Sequence, residues 1–142
     1  MARRKREPEI AAIESATHDG RGIAAVTGKK VFVAGALKGE TVRFQRRKRR
    51  RNYDEAELLE VLEPSPARIQ PRCAVFGRCG GCSLQHISQD SQREIKQQTL
   101  ADSLARIGQV EPARWLAPLF DSDDGGGWHY RRREPSCRLD LA

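Results

Sequence analysis

No apolar run in these 142 residues approaches the ~20 that a membrane-spanning helix needs, so no membrane partner is expected. Aromatic residues are only 6% of the chain and hydrophobic residues 38%, which limits it to a modest core: one ordinary domain or two very small ones. The opening "MARRKREPEI" is basic but lacks the apolar segment of ~7–15 residues that a signal peptide carries. The expected address is cytoplasmic. In that reducing compartment the four cysteines are not expected to form a disulfide framework. Catalytic signatures are missing too. There is no nucleophile elbow, phosphate loop or dinucleotide fingerprint, and the glycines at 125–127 follow an acidic run without a strand–turn–helix context.

What is present in excess is positive charge. The chain has 26 Lys+Arg against 19 Asp+Glu, a net charge of +7 and a pI near 9.7, which points to a polyanionic partner. Six consecutive cations, Arg46, Arg47, Lys48, Arg49, Arg50 and Arg51, read as a clamp on phosphates, each neutralised phosphate releasing counterions. The plainer reading is a solvated loop. Such a run supplies affinity without base readout. In "HDGRGIA" (18–24) the glycines allow a tight loop with His18 and Arg21 pointing outward. Further on, Arg131–Arg133 follow Trp128, His129 and Tyr130, rings that either stack on bases or belong to an amphipathic strand.

The densest motif is "CAVFGRCGGCSLQH" (73–86), with Cys73, Cys79 and Cys82 around Gly80 and Gly81. Three close thiolates suit zinc or an iron–sulfur cluster, and the glycines clear side-chain bulk so that backbone N–H groups can turn toward sulfur. The plain alternative, three buried free thiols, fits poorly with polar flanks at Arg72, Arg78, Ser83 and Gln85. The fourth ligand stays open. His86 would close a local Cys3His zinc site, whereas Cys137, the one cysteine left, would serve a cubane cluster.

Alternating apolar segments at 9–14, 23–26, 30–34 and 40–45, with turn residues between them, read as short strands. The segment 53–63 fits either a fifth strand or a helix face. With five strands, the first part is a small antiparallel barrel of the oligonucleotide-binding type. Prolines in 63–73 mark a connector. A helix follows, with Ser91 and Glu94 at capping-box spacing, an apolar stripe of Ile95, Leu100, Leu104 and Ile107, and Gly108 as its stop.

Taken in order, "HDGRGIA", the segment ending "EVLEPSPARIQPRC", the cysteine motif, the helix "REIKQQTLADSLARIG" and "WHYRRR" resemble the front part of the bacterial uracil-5 RNA methyltransferases. Within them they are most similar to the 23S ribosomal RNA enzymes with an N-terminal TRAM domain, over roughly residues 9–133. The resemblance implies a TRAM barrel of five strands at 1–66, with 53–63 as a strand. It implies an iron–sulfur loop and helix at 67–108 and the start of a central domain at 109–142. The overall class is mainly β with one helix, and a monomer is expected. It further implies a [4Fe-4S] cluster on Cys73, Cys79 and Cys82, an RNA partner (23S rRNA), and S-adenosylmethionine as methyl donor. In that family a catalytic cysteine adds to C6 of the uracil, and C5 takes the methyl group. No counterpart of the S-adenosylmethionine site, the catalytic cysteine or the general base is found here. The pattern is lost after Arg133, so a shortened chain that binds RNA without methylating it is the expectation.

Overall fold

The computed structural model describes residues 7–119 and Trp128. The expectations for Arg131–Arg133, His129, Tyr130 and Cys137 concern positions outside the described residues. The chain separates after Arg68 into two compact units.

The first unit is a curled mixed sheet of six strands: β1 (Glu9–Ala12), β2 (Ser15–Ala16), β3 (Arg21–Val26), β4 (Lys29–Ala34), β5 (Thr41–Arg49) and β6 (Tyr53–Glu63). Their order across the sheet is β1-β5-β6-β4-β3-β2. This corrects the expectation of five antiparallel strands in two ways. The first segment bends at Ile13–Glu14, where the Ile13 N–H donates to Glu40 O and the Glu14 N–H to Ile23 O. One stretch of chain therefore supplies both edges of the sheet, β1 beside β5 and β2 beside β3. In addition β6 runs parallel to β4, with Phe32 opposite Glu55. The 53–63 segment is a strand, as the resemblance implies.

Alternation along the strands builds the core. Val31 and Val33 of β4 and Val42 and Phe44 of β5 are fully buried, joined by Ile13, Ala24, Ala36 and Ala56. Gly22 faces this core because nothing larger fits. A Cβ there would stand 2.8 Å from Ile13 Cγ2 and 2.9 Å from the Ala36 carbonyl oxygen. The β3–β4 hairpin turns on Thr27 and Gly28, both at positive φ (51° and 77°), which matches the right-handed twist of the flanking strands.

In the second unit the helix α1 spans Gln89–Ser103 and ends in a π-helical turn, Leu104–Gly108. Its N-cap is Ser88, whose hydroxyl accepts from the Ser91 N–H, so Ser91 is not the cap. The stop falls one residue beyond Gly108, at Gln109 in the left-handed region (φ 52°). Within the stripe only Ile95 and Leu104 are half-buried, while Leu100 and Ile107 are exposed. No described helix is long and apolar enough to cross a membrane.

Candidate nucleic-acid interface

The basic run is not a uniform loop. Most of it belongs to β5, whose register with β6 slips between Arg46 and Lys48. Such a bulge re-aims the side chains after it. Arg46 points inward with its side chain only 7% exposed. Its Nε and Nη2 donate to the Glu9 carboxylate at 2.8 Å, and its Nη1 donates to Asp54 at 2.7 Å. Asp54 is buried and also accepts from Lys29 Nζ at 2.6 Å. Burial pushes the Asp54 carboxyl up, but hydrogen bonds and charge from Lys29 and Arg46 outweigh it and hold the pKa below 3.8. Arg46 in turn is held more firmly protonated, first by Glu9. It is a structural cation of the curled sheet and not a surface one.

Past the bulge the remaining cations are exposed. Arg47 pairs with Glu57, Lys48 and Arg50 lie 3.8 and 3.7 Å from Glu55, and Arg49 lies 4.0 Å from Asp54. Each of these four side chains is more than half exposed. Pairs that open to water are worth little individually, so a phosphate can take the place of the carboxylate. Arg51 is exposed at the hairpin tip and has no ion pair among the described residues.

His18 is exposed on the β2–β3 loop. That loop is held by Thr17, whose N–H donates to Arg21 O at 2.8 Å and whose hydroxyl accepts from the Arg21 N–H at 3.0 Å. Thr17 also bonds Asp19; that hydrogen bond, with the nearby Arg21 charge, keeps the Asp19 carboxyl below its usual range. The Arg21 guanidinium lies 3.0 Å from Asp19 and 5.3 Å from the centre of the Phe32 ring. Phe32 in turn meets Tyr53 edge to face, at 5.2 Å and 87°. The strand register sets Phe32 opposite Ile23 and Lys30 beside Tyr53, which puts this group on the outer face of the sheet. Sequence reasoning did not single out Phe32 or Tyr53. The signal was available, because buried Val31 and Val33 force Phe32 outward.

Also missed was Glu40. It is fully buried and accepts from the N–H groups of Leu37 (2.8 Å) and Ser65 (3.2 Å), and from Arg68 Nε and Nη2 at 2.6 and 2.8 Å. Arg68 also donates to Gly35 O at 2.6 Å. Burial raises the Glu40 pKa, but these donors prevail and the net shift is downward. Nothing local in the sequence marks this acid among its neighbours.

The cysteine loop is tied at its ends, where the Cys73 N–H donates to Gln85 Oε1 at 3.2 Å and the Ile69 N–H to His86 O at 3.0 Å. Cys73 and Cys79 are half-buried and Cys82 is exposed, so none of them packs as a core hydrophobe. A Cβ on Gly81 would come to 3.4 Å from Cys79 Sγ. The donor type suits a soft metal or cluster, but among the described residues no three His, Cys, Asp or Glu converge on one point. The three thiols share a loop without forming a preassembled cage. His86 is buried with its ring 5.5 Å from that of Phe76. It does not complete a Cys3His group, so the zinc-module reading is not favoured.

The outer face of the sheet thus carries the Arg21 guanidinium beside the Phe32–Tyr53 ring pair. Comparison with known proteins is more specific. The chain is 54% identical over 125 residues to the 23S rRNA (uracil(1939)-C(5))-methyltransferase RlmD of Nitrosococcus oceani, covering 88% of this chain and 27% of that enzyme. To the enzymes of the same name from Alkalilimnicola ehrlichii and Legionella pneumophila strain Corby it is 47% and 45% identical, covering 94% and 88% of this chain. No protein-family model matches it. The chain thus matches an N-terminal fragment of this 23S rRNA uracil methyltransferase family, and spans under a third of its relatives' length, 27% to 30%.

Proposed function

We propose that this chain is the RNA-binding portion of an S-adenosylmethionine-dependent 23S rRNA uracil-C5 methyltransferase. The observation that carries the reading is the 54% identity to a 23S rRNA methyltransferase over 88% of the chain. The physical support is the net charge of +7 and the exposed cations that crown the β5–β6 hairpin. In this reading the curled sheet is a TRAM barrel of the oligonucleotide-binding kind. His18, Arg21 and the exposed members of the 47–51 run contact phosphates, while Arg46 holds the barrel that presents them. Cys73, Cys79 and Cys82 are thiolate ligands of a [4Fe-4S] cluster, gathered when the cluster assembles. The methyl transfer itself belongs to the longer relatives, and the chain by itself binds RNA without methylating it.

Two measurements on the 142-residue chain test this. Binding to a 23S rRNA fragment should weaken steeply with salt, and incubation with S-adenosylmethionine carrying a labelled methyl group should leave the RNA unlabelled. Salt-independent binding would remove the phosphate-clamp reading; labelled uracil would show that the chain is catalytically sufficient. Anaerobic purification should give iron and sulfide in equal amounts. One zinc per chain would refute the cluster.

A further inference from the structure

Tyr53 has no obvious reason to be where it is. Aromatic residues are 6% of the chain, yet this ring sits 36% exposed on the outer face of a sheet. It stands edge to face with Phe32 on β4, and Phe32 carries the Arg21 guanidinium over its ring. Ile23 lies opposite Phe32 on one side, and on the other the register neighbours are charged. Lys30 is the neighbour of Tyr53 by register, and the Tyr53 carbonyl accepts the Arg50 N–H at 2.9 Å, which places the ring at the root of the Arg49–Arg51 hairpin tip. A cross-strand aromatic pair that served only the sheet would need neither the guanidinium nor Lys30 beside it.

We infer that Tyr53, steadied by Phe32 and Arg21, is a stacking platform for an unpaired base of a single-stranded RNA. The phosphates of that strand run past Lys30 and the hairpin tip. A ring face accepts any base, and the T-shaped contact with Phe32 fixes the ring's orientation, so little side-chain freedom is lost on binding. The Arg21 side chain, 42% exposed, adds a second flat cationic surface beside it. The inference rests on the RNA-binding reading above and deepens it by assigning the base contact that a run of cations cannot supply.

The test uses the full chain and a fluorescent single-stranded RNA of about ten nucleotides, within the footprint of one small barrel. Tyr53→Ala should bind about tenfold more weakly, a loss typical of one stacked base. The slope of affinity against salt should stay the same, because no phosphate contact is removed. Tyr53→Trp should restore binding, and an abasic strand of equal length should bind Tyr53→Ala and the unsubstituted chain alike. Circular dichroism melts of each variant separate lost stacking from lost folding. Equal affinity of folded Tyr53→Ala and the unsubstituted chain for the RNA would overturn the platform while leaving phosphate binding intact. A reduced salt slope in Tyr53→Ala would overturn it as well, since the residue would then act through the cations. Failure of the unsubstituted chain to bind any RNA would remove the RNA reading itself.

Discussion

The two units solve the problem of a scanty apolar supply differently. The first buries a compact set of valines, alanines, Ile13 and Phe44, then ties the strands together with charge. Asp54 and Glu40 are fully enclosed and each is met by cationic side chains, Lys29 and Arg46 for one and Arg68 for the other. The second unit has only His86 and Ile87 buried among its described residues, and α1 buries none. Its order comes from local hydrogen bonds such as Gln92 Nε2 to Leu84 O and Ile87 O at 3.0 and 2.9 Å. A curled sheet can hold inward charge because its strands and their connections set acids and bases at fixed spacing. A thiol loop with one helix has no such frame.

The sharpest way to break this contrast is to remove one member of the inner network. Arg46→Ala takes from buried Asp54 one of its two close cations, leaving Lys29, and leaves the partly exposed Glu9 without its partner, so the cost should reach at most the about 3–5 kcal/mol of a broken buried pair. Chemical denaturation should show the sheet's transition moving by up to that amount. Cys79→Ser, which alters a ligand of the proposed cluster, should leave the same transition in place. If Arg46→Ala unfolds no more readily than Arg47→Ala, the distinction drawn between the inward and outward cations is wrong.

Acid should act on the same network. Both Asp54 and Glu40 have folded-state pKa values below their ordinary 3.8 and 4.5. The unfolded chain therefore binds more protons than the folded one near and below those values. The stability these groups contribute is fully present above them and is lost as pH falls through the folded values. Denaturation midpoints should be flat from neutral pH to about 5 and drop below that. Glu40→Gln should be less stable at neutral pH and show a shallower acid decline. An acid profile identical to that of the unsubstituted chain would mean that Glu40 is not held ionised by Arg68.

Much of this was legible in the sequence wherever the cause is local. The alternation of Val42 and Phe44, and of Val31 and Val33, announces strands, and Thr27-Gly28 announces their hairpin. The bend at Ile13–Glu14 and the parallel pairing of β6 with β4 were not legible, because each is set by partners far along the chain. Arg46 was concealed for the same reason. Within a run of six cations its fate depends on Glu9, on Asp54 and on a bulge that no spacing rule reveals. The three thiols lie in one loop, and a loop's sequence does not say whether its sulfurs converge.

Gly22 sharpens the packing side of the contrast. Gly22→Ala would force a Cβ to within 3 Å of both Ile13 and the Ala36 carbonyl. Overpacking of this sort costs about 1–3 kcal/mol, and the loss should appear in the sheet's denaturation midpoint. Gly81→Ala, whose new Cβ would meet only Cys79 Sγ at 3.4 Å, should leave that midpoint where it was. Equal losses from the two would show that the sheet's stability is not set by its own close packing.

The smallest effect belongs to the helix. Ser88 accepts the Ser91 N–H, and its own carbonyl accepts the Gln92 N–H at 2.9 Å. Ser88→Ala removes one of the few groups that serve the first-turn donors, at a cost of about 1 kcal/mol. Because α1 buries no residue, that loss is not propagated into a core and should remain local. Amide exchange near residues 91–92 should accelerate about fivefold, the rate equivalent of 1 kcal/mol, while the protection of β3–β6 is unchanged. Ser91→Ala, which alters the residue first expected to be the cap, should have a smaller effect, since its backbone N–H and not its hydroxyl makes the bond. If Ser91→Ala proved the more damaging, the helix would begin three residues later than it does here, and 88–90 would belong to the cysteine loop.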